Sequence, residues 1–416
     1  VLRIDLQPLR DLPDFRRIWT SGLISGFGSM ATFVAMPFQM ADLTGSYVLV
    51  GLLGVAEVIP LIVFGLWGGV IADRHDRRRV LLLTECAAMS LSCVLVVNSL
   101  LATPSPTMIF VVAVLFAAVD GLQRPSLDAL IPRIVPPDVL ASVGALRSLR
   151  GNVAQIAGPA VGGILIAVGG VSSAYVFDVL TFVVSALLIL RVSAVPTVRV
   201  AIDAPWRELR EAMSYVRSRR DIIGTYVVDT AAMVLAFPFA LFPFIVREYD
   251  AEWALGFLYS SLAVGSLIAT ATSGWVGRVR HHGRVIMLAA LAWGLAIMAA
   301  GLVHEVWWVL MFLVVAGMAD MVSGLFRSLI WDTTIPDVIR GRMAGLELLS
   351  YSVGPQVGQV RSTMTARYTS AQASLVIGGS VCAASIAGMA PALRELWSFD
   401  ARTAGQQNAE TTTVTR

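Results

Sequence analysis

Gly69-Val70-Ile71-Ala72-Asp73-Arg74-His75-Asp76-Arg77-Arg78-Arg79 stands between two long apolar runs. A glycine, an acid four residues later and four arginines share a connection short enough to be a tight turn. The runs on either side, 47–72 and 80–102, each exceed the roughly 20 mostly apolar residues that a helix needs to cross a bilayer. Lipid offers the backbone no hydrogen-bond partners, so such runs must close their own hydrogen bonds as helices. The turn is then a charged loop at a membrane face, and arginine accumulates in cytoplasmic loops.

Outward from this turn the rest of the chain reads the same way. Of its 416 residues 56% are hydrophobic and 14% charged, with mean hydropathy +0.75, more apolar side chain than one water-soluble core uses. Spans are expected at about 18–41, 47–72, 80–102, 107–131, 139–168, 171–193, 221–246, 253–277, 285–303, 306–333, 342–366 and 370–395. Val1 to Arg17 carries charges, Pro8 and Pro13 and no continuous apolar core, so it is expected to be a cytoplasmic segment rather than a cleavable signal peptide. All 31 basic residues are arginine. With both termini cytoplasmic, only Arg247 and Arg367 fall outside, and Arg124, Arg147, Arg150, Arg327 and Arg361 lie inside spans. The net charge of +3 follows from this anchoring and gives nucleic-acid binding no support. Cys86, Cys93 and Cys382 all fall in spans, without disulfide or metal-ligand spacing, and read as small packing residues.

The stretch 194–220 breaks the apolar pattern as a cytoplasmic linker, in which Trp206 to Arg217 can form a short amphipathic helix. It separates an N-terminal six-helix half, 18–193, from a C-terminal half, 221–395, with 1–17 and the tail 396–416 at the ends. Landmarks recur about 200 residues apart, as internal duplication predicts. Gly158-Pro159-Ala160-Val161-Gly162-Gly163 returns as Gly354-Pro355-Gln356-Val357-Gly358-Gln359. Asp120 in the fourth span is matched by Asp320 in the tenth, and Pro137-Asp138 by Pro336-Asp337. The arginine turn has a worn copy from Gly274 to Arg284, where Arg278 replaces the aspartate.

These features carry a resemblance. Gly69 to Arg79 resembles the loop signature Gly-x-x-x-Asp-Arg-x-Gly-Arg-Arg of major facilitator superfamily transporters, with Asp76 where the family usually has glycine. The resemblance implies that Gly69, Asp73, Arg74, Arg77 and Arg78 help latch a cytoplasmic gate, with Asp128 a partner for Arg77. Simple anchoring by positive charge is the plainer reading of Arg78 and Arg79, though it gives Asp73 no reason to be there. Gly158 to Gly163, preceded by Ala154, resembles the fifth-span signature Gly-x-x-x-Gly-Pro-x-x-Gly-Gly of proton-driven exporters. Its small residues permit close helix packing and Pro159 removes a helical hydrogen bond, with generic packing as the alternative. Arg124 to Leu140, continuing through Gly144 to Arg147, and Asp14 to Trp19 are similar to the branch that contains bacterial macrolide-efflux proteins and the enterobactin exporter.

Charges at mid-span are costly and face a partner or water. Glu57, Asp120, Arg150 and Asp320 fall there by counting and are the candidate proton or substrate sites, with structural salt bridges as the plain alternative. Asp120 and Arg150 are expected to pair, and an acid whose arginine moves away can take up and release a proton. Asp178, Asp229 and Glu347 lie nearer span ends, where ionisation is less costly. Trp19, Trp253, Trp307, Trp308 and Trp397 sit at span boundaries as interfacial anchors, whereas Trp67 and Trp293 lie deeper and either pack or stack on an aromatic substrate. The four histidines lie in loops and share no metal-ligand or nucleophile arrangement, so no enzyme, metal or cofactor is expected.

The expectation is an all-α membrane protein with twelve transmembrane helices in two pseudo-symmetric halves, the major facilitator fold, in a bacterial cytoplasmic membrane. Its partners are a small-molecule substrate, protons and the lipid bilayer, and a monomer is expected. The resemblance implies export of a drug or siderophore in exchange for protons. The alternatives are uptake or facilitated movement of a nutrient or lipid, and a receptor or assembly partner that does not transport.

Overall fold

The computed structural model describes residues 5–193, 219–335 and 337–400, apart from the side chains at 66, 69, 70, 72, 73, 220, 221 and 337–351. The expected linker helix and most of the tail therefore lie outside the described residues, as does the side chain of Glu347.

Regular structure among the described residues is helical. It begins with α1 (Gln7–Asp11), α2 (Pro13–Thr44), α3 (Tyr47–Arg74), α4 (Arg77–Leu100), α5 (Pro106–Ile134) and α6 (Leu140–Ile189). It continues with α7 (Arg220–Ala236), α8 (Phe242–Glu248), α9 (Leu255–Ala271), α10 (His282–Leu302), α11 (Val306–Thr334), α12 (Asp337–Tyr368), α13 (Ala371–Met389) and α14 (Arg394–Trp397). Ten helical stretches among the described residues are long and apolar enough to cross a membrane. Large apolar side chains on their outer faces are open, Val168 at 85% and Leu100 at 70%, as suits contact with lipid rather than water.

Local chemistry sets the ends of these helices. Proline occupies the first turn of α2 and α5, where its missing N–H costs nothing, and Gly45 closes α2 in the left-handed conformation at φ 60°. Ser46 caps α3 by accepting from Leu49 N–H. The fifth and sixth expected spans run together in α6 but break at Gly170, whose φ of 70° and ψ of −179° suit glycine alone. Ser173 Oγ lies 2.7 Å from both Leu165 O and Gly170 O, tying that corner. The seventh expected span is interrupted: α7 stops at Ala236, Phe237 is extended ahead of Pro238, and a 3₁₀ turn leads into α8. The eighth ends at Ala271, six residues early, and continues as a 3₁₀ segment, Ser273–Arg278.

The chain divides into two compact units, Val1–Ile202 with Val246–Ser260, and Asp203–Ile245 with Ser261–Arg416. In the first, two apolar clusters sit at the end that carries the arginine turn. One gathers Phe15, Ile131, Val135, Val143 and Leu146, the other Ile18, Leu81, Leu130, Ile189 and Val192. They fix the ends of α2, α4, α5 and α6 together, which positions the arginines described next.

Candidate functional site

Asp76 stands at the N-cap of α4 and accepts from Arg78 N–H at 3.0 Å. The aspartate that departs from the family pattern thus satisfies an otherwise unpaired donor at a helix start. Arg77 is buried and its Nη1 donates to Ala129 O in α5 at 3.3 Å. Arg78 reaches the last turn of α6, donating from Nε to Ile189 O at 3.3 Å and from Nη2 to Leu190 O. Arg17 donates to Arg191 O at 2.7 Å and pairs with Asp14. Two arginines from separate helices therefore neutralise the negative end of the α6 dipole. Arg74 is exposed at the end of α3, and Arg79, 83% exposed, is 3.8 Å from Asp76. The side chains of Gly69 and Asp73 lie outside the described residues. Asp128, expected as a partner of Arg77, is bonded to Arg147. The pairing ties the last turns of α5 to the first turns of α6. Nearby, Asp5 accepts from Gln7 N–H and from Ser142, which hold its carboxyl below the ordinary carboxylate range.

The fifth-span motif is a contact with two sides. On one side α6 lies against α2: a Cβ on Gly158 would be 2.5 Å from Met30 Cβ, and one on Gly162 would be 2.7 Å from Ala31 Cα. Ala154 extends this face, its Cβ 3.2 Å from where a Cβ on Gly26 would stand. On the other side Gly163 and Pro159 meet Gly256 at the start of α9 backbone to backbone, and Ser260 Oγ lies 2.5 Å from Ile156 O. In the second unit the repeated motif makes the equivalent first contact. Gly354 faces Met233, and a Cβ on Gly358 would be 2.2 Å from Met233 O in α7. The repeat in sequence is therefore a repeat in packing.

The mid-span charges are distributed differently from the expectation. Asp120 is paired with Arg124 one turn along α5, at 2.6 Å, instead of with Arg150. An i,i+4 partner on the same helix face needs no second helix to bring it near. Glu57 on α3 is half-buried and faces Asp120 across to α5. Arg150 lays its guanidinium on Gly22, where a Cβ would meet Nη1 at 2.3 Å, and looks toward Glu85. In the second unit Asp320 is half-buried beside a buried ion pair between Asp229 and Arg327. Trp293 is buried and packs, whereas Trp67 is 63% exposed with its ring edge-on to Phe64.

Counting along spans missed a column of polar side chains inside the first unit. Ser21 Oγ is 2.6 Å from Ser185 Oγ. Glu85 accepts from Gln123 Nε2 at 2.8 Å and has Ser25, Ser185 and Arg150 around it. Asp178 Oδ2 accepts from Thr32 and Ser92, each at 2.7 Å, and Tyr175 OH donates to Gln39 Oε1 at 2.8 Å. The signal available in sequence was a stripe on α2, Ser21, Ser25, Thr32 and Gln39, at helical spacing. Among the described residues no group of His, Cys, Asp or Glu is arranged to hold a metal ion, and the three cysteines are free.

Comparison with known proteins agrees with this architecture. Enterobactin exporters EntS from Shigella boydii serotype 4 and from Escherichia coli O1:K1 are each 27% identical to the chain over 362 residues, covering 85% of it and 86% of their own length. The nucleoside transporter NupG superposes with a TM-score of 0.70 at 13% identity, over 94% of this chain and all of that one. A bacterial homologue of the iron transporter ferroportin does so with a TM-score of 0.67 at 16% identity, over 91% and 98%. At those identities the likeness is one of fold. Residues 5–414 match the family described as transmembrane secretion effector, and with its multi-pass helical architecture the chain belongs to this family of major facilitator transporters.

Proposed function

We propose that this protein is a secondary active exporter of a bacterial cytoplasmic membrane, moving a small amphipathic compound outward in exchange for protons. The observation that carries the reading is the two-sided contact at Gly158 to Gly163. One face grips α2, while the other grips Gly256, a residue from the later part of the chain. Small residues let such backbones touch and part without side chains interlocking, which suits a helix that governs alternating access.

In this reading twelve spans form two halves, 18–193 and 221–395, with both termini and the arginine turn at the cytoplasmic side. Gly69, Asp73, Arg74, Arg77, Arg78 and Asp128 form the gate latch. Glu57, Asp120 and Asp320 are the accessible acids for a proton or a basic substrate group, and Arg150 suits an anionic oxygen. The protein acts as a monomer. The named likeness to enterobactin exporters makes a catecholate siderophore the first substrate to test. Purified protein in liposomes, given iron-free enterobactin and an imposed pH gradient, is expected to move it uphill and opposite to proton flow. Purely downhill flux, or flux in the same direction as protons, would replace export by a facilitator or symporter.

A further inference from the structure

The buried polar column of the first unit is longer and more acidic than packing requires. It runs along α2 from Ser21 to Gln39, 18 residues or roughly 27 Å of helix, against a hydrocarbon core of about 30 Å. Its other walls are α4 and the second segment of α6. Two carboxyl groups stand in it, Glu85 at 3% exposure and Asp178 at 0%. Each uses one oxygen for the hydrogen bonds described above. The other, Oε2 of Glu85 and Oδ1 of Asp178, is buried without a hydrogen-bond partner among the described residues. Amide side chains of the same shape could make the bonds at Oε1 and Oδ2. Orphaned carboxyl oxygens are what packing leaves unexplained.

We infer that Glu85 and Asp178 form a proton-binding pair that takes up and releases the proton exchanged for substrate, which leaves Glu57, Asp120 and Asp320 to a basic substrate group. The inference rests on the proposed proton exchange and names residues for it. The step is a simple association: a proton from the outer side adds to a carboxylate oxygen, giving a neutral acid, and the same O–H bond breaks when the proton leaves inward. Glu85 faces Ser25 on α2, Gln123 on α5, and Ser185 and Arg150 on α6. Asp178 faces Thr32 on α2, Ser92 and Glu85 on α4, and Tyr175 on its own helix. Arg150 is the one cation named among these groups, so a shift of α6 against α4 changes the charge that Glu85 experiences. Hydroxyls of Ser21, Ser25, Ser185, Ser92 and Thr32 stand beside the two acids or their neighbours, and each can both donate and accept.

The test uses the full-length protein in liposomes, with Glu85→Gln, Asp178→Asn and the double variant. Infrared difference spectra across a pH titration are expected to show a carboxyl C=O band that each single variant diminishes and the double variant removes. Uphill enterobactin transport driven by a pH gradient should fall about tenfold or more, while enterobactin exchange at equal pH stays within about twofold. An unchanged band in the double variant, or retained uphill transport, would overturn the assignment. Loss of exchange together with uphill transport would make the pair structural and overturn it too. Wild-type transport indifferent to the gradient would instead overturn proton exchange itself, and the infrared titration would still decide whether the pair binds a proton.

Discussion

A Cβ on Gly163 would stand 2.5 Å from the backbone nitrogen of Gly256, and a Cβ on Gly256 would stand 2.1 Å from Pro159 O. Neither site has a flexible side chain to move aside, so the two backbones themselves must separate. Gly163→Ala and Gly256→Ala are each expected to lose about 1–3 kcal/mol, the cost of overpacking, and to lower transport. Gly274→Ala, which meets nothing within 4 Å, should stay within about 0.5 kcal/mol of wild type. Thermal unfolding of the three purified variants checks the order, and equal losses at Gly256 and Gly274 would remove the close contact as the cause.

Asp76 offers a test in which the unusual residue can be exchanged for the family's common one. Because its carboxylate caps α4 through Arg78 N–H, Asp76→Ala should cost about 0.5–2 kcal/mol, whereas Asp76→Gly should cost only a few tenths. Asp76→Ser should match wild type. A melting temperature for the glycine variant as low as for alanine would show that the carboxylate acts through something other than the cap.

Arg78 and Arg79 are neighbours with different work. Arg78 satisfies Ile189 O and Leu190 O at the end of α6, while Arg79 is 83% exposed. Arg78→Ala is expected to destabilise by about 1.5–3 kcal/mol, the range for hydrogen bonds from a charged group, and Arg79→Ala to leave stability unchanged. Denaturation of both variants in the same detergent separates them, and parallel behaviour would return Arg78 to a purely topological role.

The buried pair Asp229–Arg327 makes a prediction in the second unit. Arg327→Ala leaves a buried carboxylate without its guanidinium and should cost about 3–5 kcal/mol. Removing both charges, as in Asp229→Asn with Arg327→Met, should recover much of that loss. A double variant less stable than Arg327→Ala would mean that the pair is needed for more than mutual neutralisation.

The arginine turn was legible in the sequence because charge in a short loop obeys a rule about sidedness that needs no tertiary contact. The repeated Gly-Pro motif was legible for a similar reason, and packing repeats it at Met30 and Met233. The partner of Asp120 was misread by looking across helices to Arg150 when Arg124 stood one turn away on the same face. Glu85 was hidden, and Asp178, fully buried, was set aside as a span-end acid, for the opposite reason. Their significance comes from four helices whose neighbours no local pattern names, and position along a span says nothing about which face is inward. The breaks at Gly170 and Pro238 belong to backbone geometry that hydropathy alone runs through.

Sidedness itself can be settled by labelling. With Cys86, Cys93 and Cys382 replaced by serine or alanine, single cysteines at Arg79, Arg280 and Arg367 report three exposed positions along the chain. Positive residues are retained on the cytoplasmic side, so Arg79→Cys and Arg280→Cys should resist a membrane-impermeant maleimide added to intact cells and react only after permeabilisation. Arg367→Cys, in the exposed last turn of α12, should react in intact cells. Reaction of Arg79→Cys from outside would invert the orientation, and with it the direction of export. Protection of Arg367→Cys alongside Arg280→Cys would mean an even number of crossings between them where three are expected, and the count of twelve would fall.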